Sequence, residues 1–210
     1  MDTIKIKNKK LSKRTICANI TKMYLLADDS DKSDWYSEAN DFCEKLTTDT
    51  ITKNKVIGVL AALSPMKNWN DNKNQAISMI QTGSCGHMPL FKNKAINIIN
   101  CSGNDEDILT ILSGPKIKSF YMNIKNESAN TDVTIDRHAL SVAIGKRVDN
   151  TFYTGMTPNQ YEFFKTYYIA VAKRLRIKPS KLQAITWVRF RKIKGDYKKV
   201  YSDTHKKKKK

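Results

Sequence analysis

The stretch NKVIGVLAALSP (54–65) is apolar almost all the way round a helix and stops on a proline. A helix with no polar face has to be enclosed on every side, so it demands a shell of other elements. Its longest apolar run is far short of the ~20 residues that span a bilayer, which makes it the centre of a folded core. Pro65 biases the residue before it away from helical backbone and closes the segment.

Helical periods elsewhere supply the shell. SDWYSEANDFCEKL (33–46) follows Ser33 as an N-cap and sets Trp35, Ala39, Phe42 and Leu46 on one stripe. NDNKNQAISMIQTG (70–83) is polar at its start and ended by Gly83, and LFKNKAINII (90–99) is short and amphipathic. NDEDILTILSG (104–114) opens on acidic residues that suit a helix N-terminus. KIKSFYMNI (116–124) and IDRHALSVAIGK (135–146) follow. TPNQYEFFKTYYIAVAKRL (157–175) and KPSKLQAITWVRFRKIKG (178–195) each begin with proline in the first turn. Only DVTI (132–135) reads as extended. The expectation is an all-α chain of about eight to ten helices, with no clear linker before residue 195.

At 210 residues and 40% hydrophobic, the chain has room for one large domain or two lobes sharing a core. It carries 38 Lys and Arg against 20 Asp and Glu, a net charge of +18, and residues 165–210 hold 17 basic against 2 acidic residues. That excess points to a polyanionic partner, nucleic acid above all. The closing lysine run reads as a solvated, disordered tail. Cys17, Cys43, Cys85 and Cys101 have neither the spacing nor the histidines of a zinc or iron–sulfur site. They read as reduced thiols of a cytoplasmic protein, with no metal, no cofactor and no membrane span.

Leu112-Ser113-Gly114-Pro115 joins two helices through a residue free to take positive φ and a proline set for a helix start. Such a turn presents backbone N–H groups at a helix N-terminus, a phosphate site that Lys116 and Lys118 would flank. On its own, a helix–Gly–helix corner is as often plain structure.

Eighteen residues after Lys118, VTIDRHAL sets Asp136 at the start of another helix. Taken together, LSGPKIKSFYMNI and VTIDRHAL resemble the helix–hairpin–helix DNA glycosylase superfamily, endonuclease III in particular, with its L-P-G-V-G-x-K-T-A hairpin and later V-D-T-H. Leu112, Gly114, Lys118 and Ser119 fall on the Leu, first Gly, catalytic Lys and Thr, and Asp136 and His138 on the Asp and His, without a gap. VLAALSPMKNWNDNKNQAI (59–77) is similar to that family's helix ending L-L-S-A-Q-x-x-D with the helix after it, and PLFKNKAINII (89–99) to its G-L-Y-x-x-K-A-x-x-I segment. The resemblance covers about residues 50–148.

It implies a two-lobed helical fold without an iron–sulfur cluster. One lobe would be about 50–125, the other the N-terminal segment with 135–195, and residues 196–210 would form a basic tail. It implies excision of a base from double-stranded DNA by a monomer. Asp136 would serve the sugar centre and Lys118 would be a Schiff-base nucleophile for a lyase step. A flipped base needs a stacking or wedge residue, for which Trp69, Asn72, Gln75, Tyr121 and His138 are the candidates. Gly114, Lys116, Ser119, Arg137, Arg189, Arg191 and Lys192 would hold DNA, with Lys194 beside them. Each has a plainer reading. Lys118 is a solvated helix lysine, Asp136 a helix N-cap, and His138 a packed side chain. Arg189, Arg191 and Lys192 make a solvated face, and Trp187 and Phe190 a core stripe.

The chain also departs from the family. Lys116 stands at the hairpin's second glycine, Arg137 follows Asp136 in place of Thr, and the four-cysteine loop is missing. YEFFKTYYIAVAKRLRIKPSKLQAITWVRFR (161–191) resembles phage-encoded proteins distantly similar to these glycosylases, some of which build hypermodified bases. Two alternatives therefore stand beside excision. One is group transfer or elimination on a modified pyrimidine on the same fold; the other is a non-catalytic DNA-binding module.

Overall fold

The computed structural model describes residues 3–6, 9–126, 132–149, 153–154 and 156–193, with side chains from residue 11 onward. Helices dominate, in the order α1 (Lys13–Leu25), α2 (Trp35–Glu44), α3 (Lys53–Ala62), α4 (Trp69–Thr82), α5 (Pro89–Asn100), α6 (Asp105–Ile111), α7 (Pro115–Lys125), α8 (Arg137–Ile144), α9 (Pro158–Leu175) and α10 (Pro179–Ile193). The chain divides into two compact units: a central one, Trp35–Asn130, and a terminal one, Met1–Asp34 with Thr131–Lys210. The central unit starts at Trp35, earlier than residue 50, because α2 packs on α3 and α7.

Two short strands ahead of α1 depart from the all-helical expectation. Strands β1 (Thr3–Ile6) and β2 (Lys9–Ser12) form an antiparallel hairpin, with Thr3 opposite Ser12. Ser12 then caps α1, its Oγ accepting the Thr15 N–H at 3.2 Å. Helix α1 has no long apolar face to announce it, but Ile16, Ile20 and Met23, at helical spacing, are fully buried.

In the central unit α3 is enclosed as its composition demands: Val56, Ile57, Val59, Leu60, Ala61 and Leu63 are fully buried. Gly58 lets α5 and α6 close on it, since a Cβ there would lie 2.9 Å from Ile98 Cγ2 and 3.1 Å from Ile108 Cγ2. On α2 the buried stripe is Tyr36, Ala39, Asn40 and Cys43, turned one residue from the expected one. Polar Asn40 goes inward because its Nδ2 donates to the Ile124 carbonyl at 2.8 Å. Burial also pushes the Cys43 thiol up to about 12, so it stays protonated and inert.

The terminal unit buries α1, α8, α9 and α10 against one another, with Ile16, Leu140, Phe164, Tyr168, Leu182 and Phe190 in its core. Residues 132–136 are irregular and pair with no strand. The buried polar groups of this segment are satisfied by a side chain. The Tyr161 hydroxyl accepts the Ile135 N–H and donates to the Val133 carbonyl, both at 3.0 Å. Residues 132–136 are thereby fixed where they deliver Asp136 to the start of α8.

Candidate functional site

In the terminal unit Asp136 caps α8 from extended backbone (φ −89°, ψ −179°). Its Oδ1 accepts the Ala139 N–H at 2.7 Å, and its Oδ2 accepts the Trp187 Nε1–H at 2.8 Å from α10, 51 residues away. The side chain is half-buried. Each carboxylate oxygen keeps a second lone pair, so the group is immobilised without being used up. Arg191, one turn beyond Trp187, lies over the indole at 4.8 Å from the ring centroid. The His138 ring packs on Phe190 at 5.6 Å and edge-on to Trp187 at 6.2 Å. The Tyr153 hydroxyl donates to the Ile135 carbonyl at 3.2 Å. Burial pushes that phenol well above the usual tyrosine range, and the Asp136 charge adds to the effect. A fixed carboxylate with lone pairs to spare can steady a cation or take a proton from water.

Trp187 is what sequence reading missed here. It was expected as core stripe alone, although a tryptophan on a half-buried helix face has an N–H in need of an acceptor. Its partner could not be named from so distant a position.

The basic side chains of α10 divide. Arg189 turns onto Asp28 at 3.3 Å and Asp31 at 3.6 Å, and Lys192 reaches Asp31 at 2.5 Å and the Ser30 hydroxyl at 2.6 Å. Asp31 is fully buried and sits in a reciprocal cap with Asp28 on the 3₁₀ turn Asp29–Asp31. A buried carboxylate requires counter-charge, so these two cations, expected on a phosphate-facing surface, are engaged inside the unit. Arg137 is half-buried at the start of α8. Lys194 and the lysine run lie outside the described residues.

In the central unit the turn between α6 and α7 stands open. Ser113, Gly114 and Pro115 are exposed, Gly114 has φ 78° and ψ 147°, and a Cβ there would meet nothing within 4 Å. No side chain caps α7. Lys94 Nζ donates to Ser113 Oγ, bringing an ammonium from α5 beside the turn. Lys116 is half-buried and Lys118 exposed on the first turn of α7. Lys116 is helical there, and among the described residues the positive-φ residues other than glycine are Met66 and Arg176, so the missing second glycine brings no backbone strain. An uncapped helix start with lysines around it is suited to a phosphate.

The remaining expected residues scatter. Ser119 is buried, on the inner side of α7. Tyr121 is fully buried, its hydroxyl donating to Asp105 Oδ1 at 2.7 Å, so it is a core residue and not a surface for stacking. Trp69 is half-buried among Trp35 (4.6 Å between ring centroids), Phe42 (6.1 Å) and the Lys73 ammonium (5.5 Å). Asn72 is buried and Gln75 half-buried on α4; Asn72 Oδ1 and Gln75 Oε1, with Ser64 Oγ at the end of α3, are buried acceptors without a partner among the described residues.

One residue of the α3–α4 connection had no sequence signal. Met66 is 86% exposed with φ 63°. Left-handed backbone is uncommon on a non-glycine residue.

No curated protein and no solved structure matches the chain. The chain belongs to the DUF7178 family, a family of unknown function, which it matches over residues 2–194.

Proposed function

We propose that the protein is a DNA-acting enzyme that cleaves the N-glycosidic bond of a damaged or modified nucleotide. The observation that carries this reading is the Asp136 carboxylate, half-buried and held by an N–H donor on each oxygen. A base leaves deoxyribose through a C1′ centre that becomes cationic, and a preorganised carboxylate lowers that barrier most. The C1′–N bond breaks and its electron pair leaves with the base, which takes a proton from solvent, a proton restored when Asp136 gives up the one it removes from water. Water adds its oxygen to C1′, and Asp136 takes the water's proton.

The open α6–α7 turn, with Lys94, Lys116 and Lys118, supports a grip on backbone phosphate. Met66 supports a wedge that props open a base step, a task for which apolar side chains are used. The net charge of +18 supports a polyanionic substrate. Lys118 is the amine nominated for a second step. Attack of its neutral nitrogen on the ring-opened C1′ aldehyde, with loss of water, would give a Schiff base; removal of a C2′ proton and departure of the 3′ phosphate would then nick the strand.

The test uses duplexes carrying deaminated, oxidised, alkylated or hydroxymethylated bases. Alkali-sensitive sites are expected on at least one duplex, and a borohydride-trapped adduct is expected if Lys118 acts as nucleophile. An adduct that survives Lys118→Ala removes Lys118 from the lyase role. Failure to form alkali-sensitive sites on any duplex, with binding intact, removes excision.

A further inference from the structure

Some cations of the terminal unit are paired with carboxylates, and others, Lys146 and Arg176 among them, reach none among the described residues. Lys165, Lys181, Arg189 and Lys192 each reach a carboxylate. Lys13, Arg14, Lys22 and Arg174 are exposed and reach none among the described residues. All four line a groove of about 960 Å³ that runs along α1.

Cys17, Ala18, Thr21, Leu25 and Leu26 line the same groove. Positions 14, 18, 21 and 25 recur at helical spacing, so they form one stripe on the outer face of α1. Leu25 is 72% and Leu26 43% exposed. Two adjacent exposed leucines on a helix end are a place to expect a partner. Among the described residues the lining has no carboxylate and no aromatic ring. A groove for single-stranded nucleic acid would offer rings for bases to stack on; this one offers aliphatic carbon ringed by unneutralised cations. The complement is a helix with an apolar stripe flanked by Asp and Glu.

We propose that the α1 groove docks an acidic amphipathic helix of a partner protein. Its apolar stripe lies over Ala18, Thr21 and Leu25, and its carboxylates meet Lys13, Arg14, Lys22 and Arg174. The chain's own lysine-rich end has the wrong charge to fill it. This interaction is independent of base excision.

The probe is a synthetic, fluorescently labelled peptide of about four helical turns, with leucines on one stripe and glutamates beside it, titrated against the full chain by anisotropy. Saturable binding is expected. It falls by at least about tenfold in Leu25→Asp, the effect of losing one buried leucine contact. It falls similarly in Arg14→Glu combined with Lys22→Glu, and in Ala18→Trp, which fills the groove from an exposed position. A scrambled peptide of the same composition binds at least about tenfold more weakly, as apolar register requires. Equal binding of the scrambled peptide, or none of these losses, overturns the proposal. So does a Leu25→Asp variant that loses a single-stranded oligonucleotide or phosphatidylserine vesicles and keeps the peptide.

Discussion

Replacing Trp187 by Phe keeps a ring in place on α10 and deletes the one N–H that Asp136 Oδ2 accepts, at 2.8 Å. A hydrogen bond to a charged group contributes about 1.5–3 kcal/mol, and the half-exposed setting argues for the lower end. Loss of part of the ring beneath Arg191 adds about 0.5 kcal/mol, so Trp187→Phe should cost about 2 kcal/mol. Asp136→Asn still caps α8 through its carbonyl oxygen, but it turns an NH₂ toward the indole N–H. It therefore loses the same bond at a cost of about 1.5 kcal/mol. The double variant loses that bond only once, and its cost should fall short of the sum by about 1.5 kcal/mol. Urea unfolding of the four proteins measures this, read as midpoint shifts at constant slope. Costs that add to within about 0.3 kcal/mol would mean the indole does not hold the carboxylate in solution. In the same set, Trp187→Phe should slow base release about tenfold, since a carboxylate free to swing is no longer preorganised.

Three further outcomes follow from the packing and the charges. Gly58→Ala should destabilise the central unit by about 1–3 kcal/mol in urea unfolding, because its new methyl group would stand 2.9 Å from Ile98 Cγ2. Burial pushes the Asp105 carboxyl up, but bonds from Lys125 and Tyr121 outweigh it and leave the group below its ordinary 3.8. Its stabilisation is therefore present above pH 3.8 and lost as pH falls through the lower, folded value; Asp105→Asn should flatten that part of an acid-unfolding curve. For DNA, replacing Lys116 and Lys118 by Gln should reduce the slope of log affinity against log salt by nearly two, at ~0.9 per phosphate contact. Lys192→Gln, which removes a cation already paired with Asp31, should leave the slope unchanged.

The local grammar of the chain was readable, and what lay between distant residues was not. Helix α3 announced itself because a segment apolar on every side has one stable place. Helix α9 announced itself through Thr157 and Pro158, and Thr157 Oγ1 does accept the Gln160 N–H. Asp136 as the cap of α8 was equally plain, because capping depends on a residue three positions away. The hairpin at residues 3–12 and helix α1 escaped. Thr, Ile and Lys alternate in the first around a lone Asn8 with no Gly beside it to mark a turn, and the second is held by burial of Ile16, Ile20 and Met23 rather than by propensity. The roles of Trp187, Arg189, Lys192 and Tyr121 depend on partners 16–162 residues away. A basic run on a helix looks the same whether it faces phosphate or a buried aspartate. Met66 had no signal because backbone dihedrals of a lone methionine leave no trace in composition.

The central claim is that Asp136 acts on the sugar of a nucleotide. Mass spectrometry of the bases and nucleosides recovered after incubating modified DNA with the wild-type protein and with Asp136→Asn tests it most directly. A free base released by the wild type and lost in the variant, with DNA binding equal in both, is the predicted result. A mass change on a nucleoside whose glycosidic bond stays intact, or base release undiminished by Asp136→Asn, contradicts it.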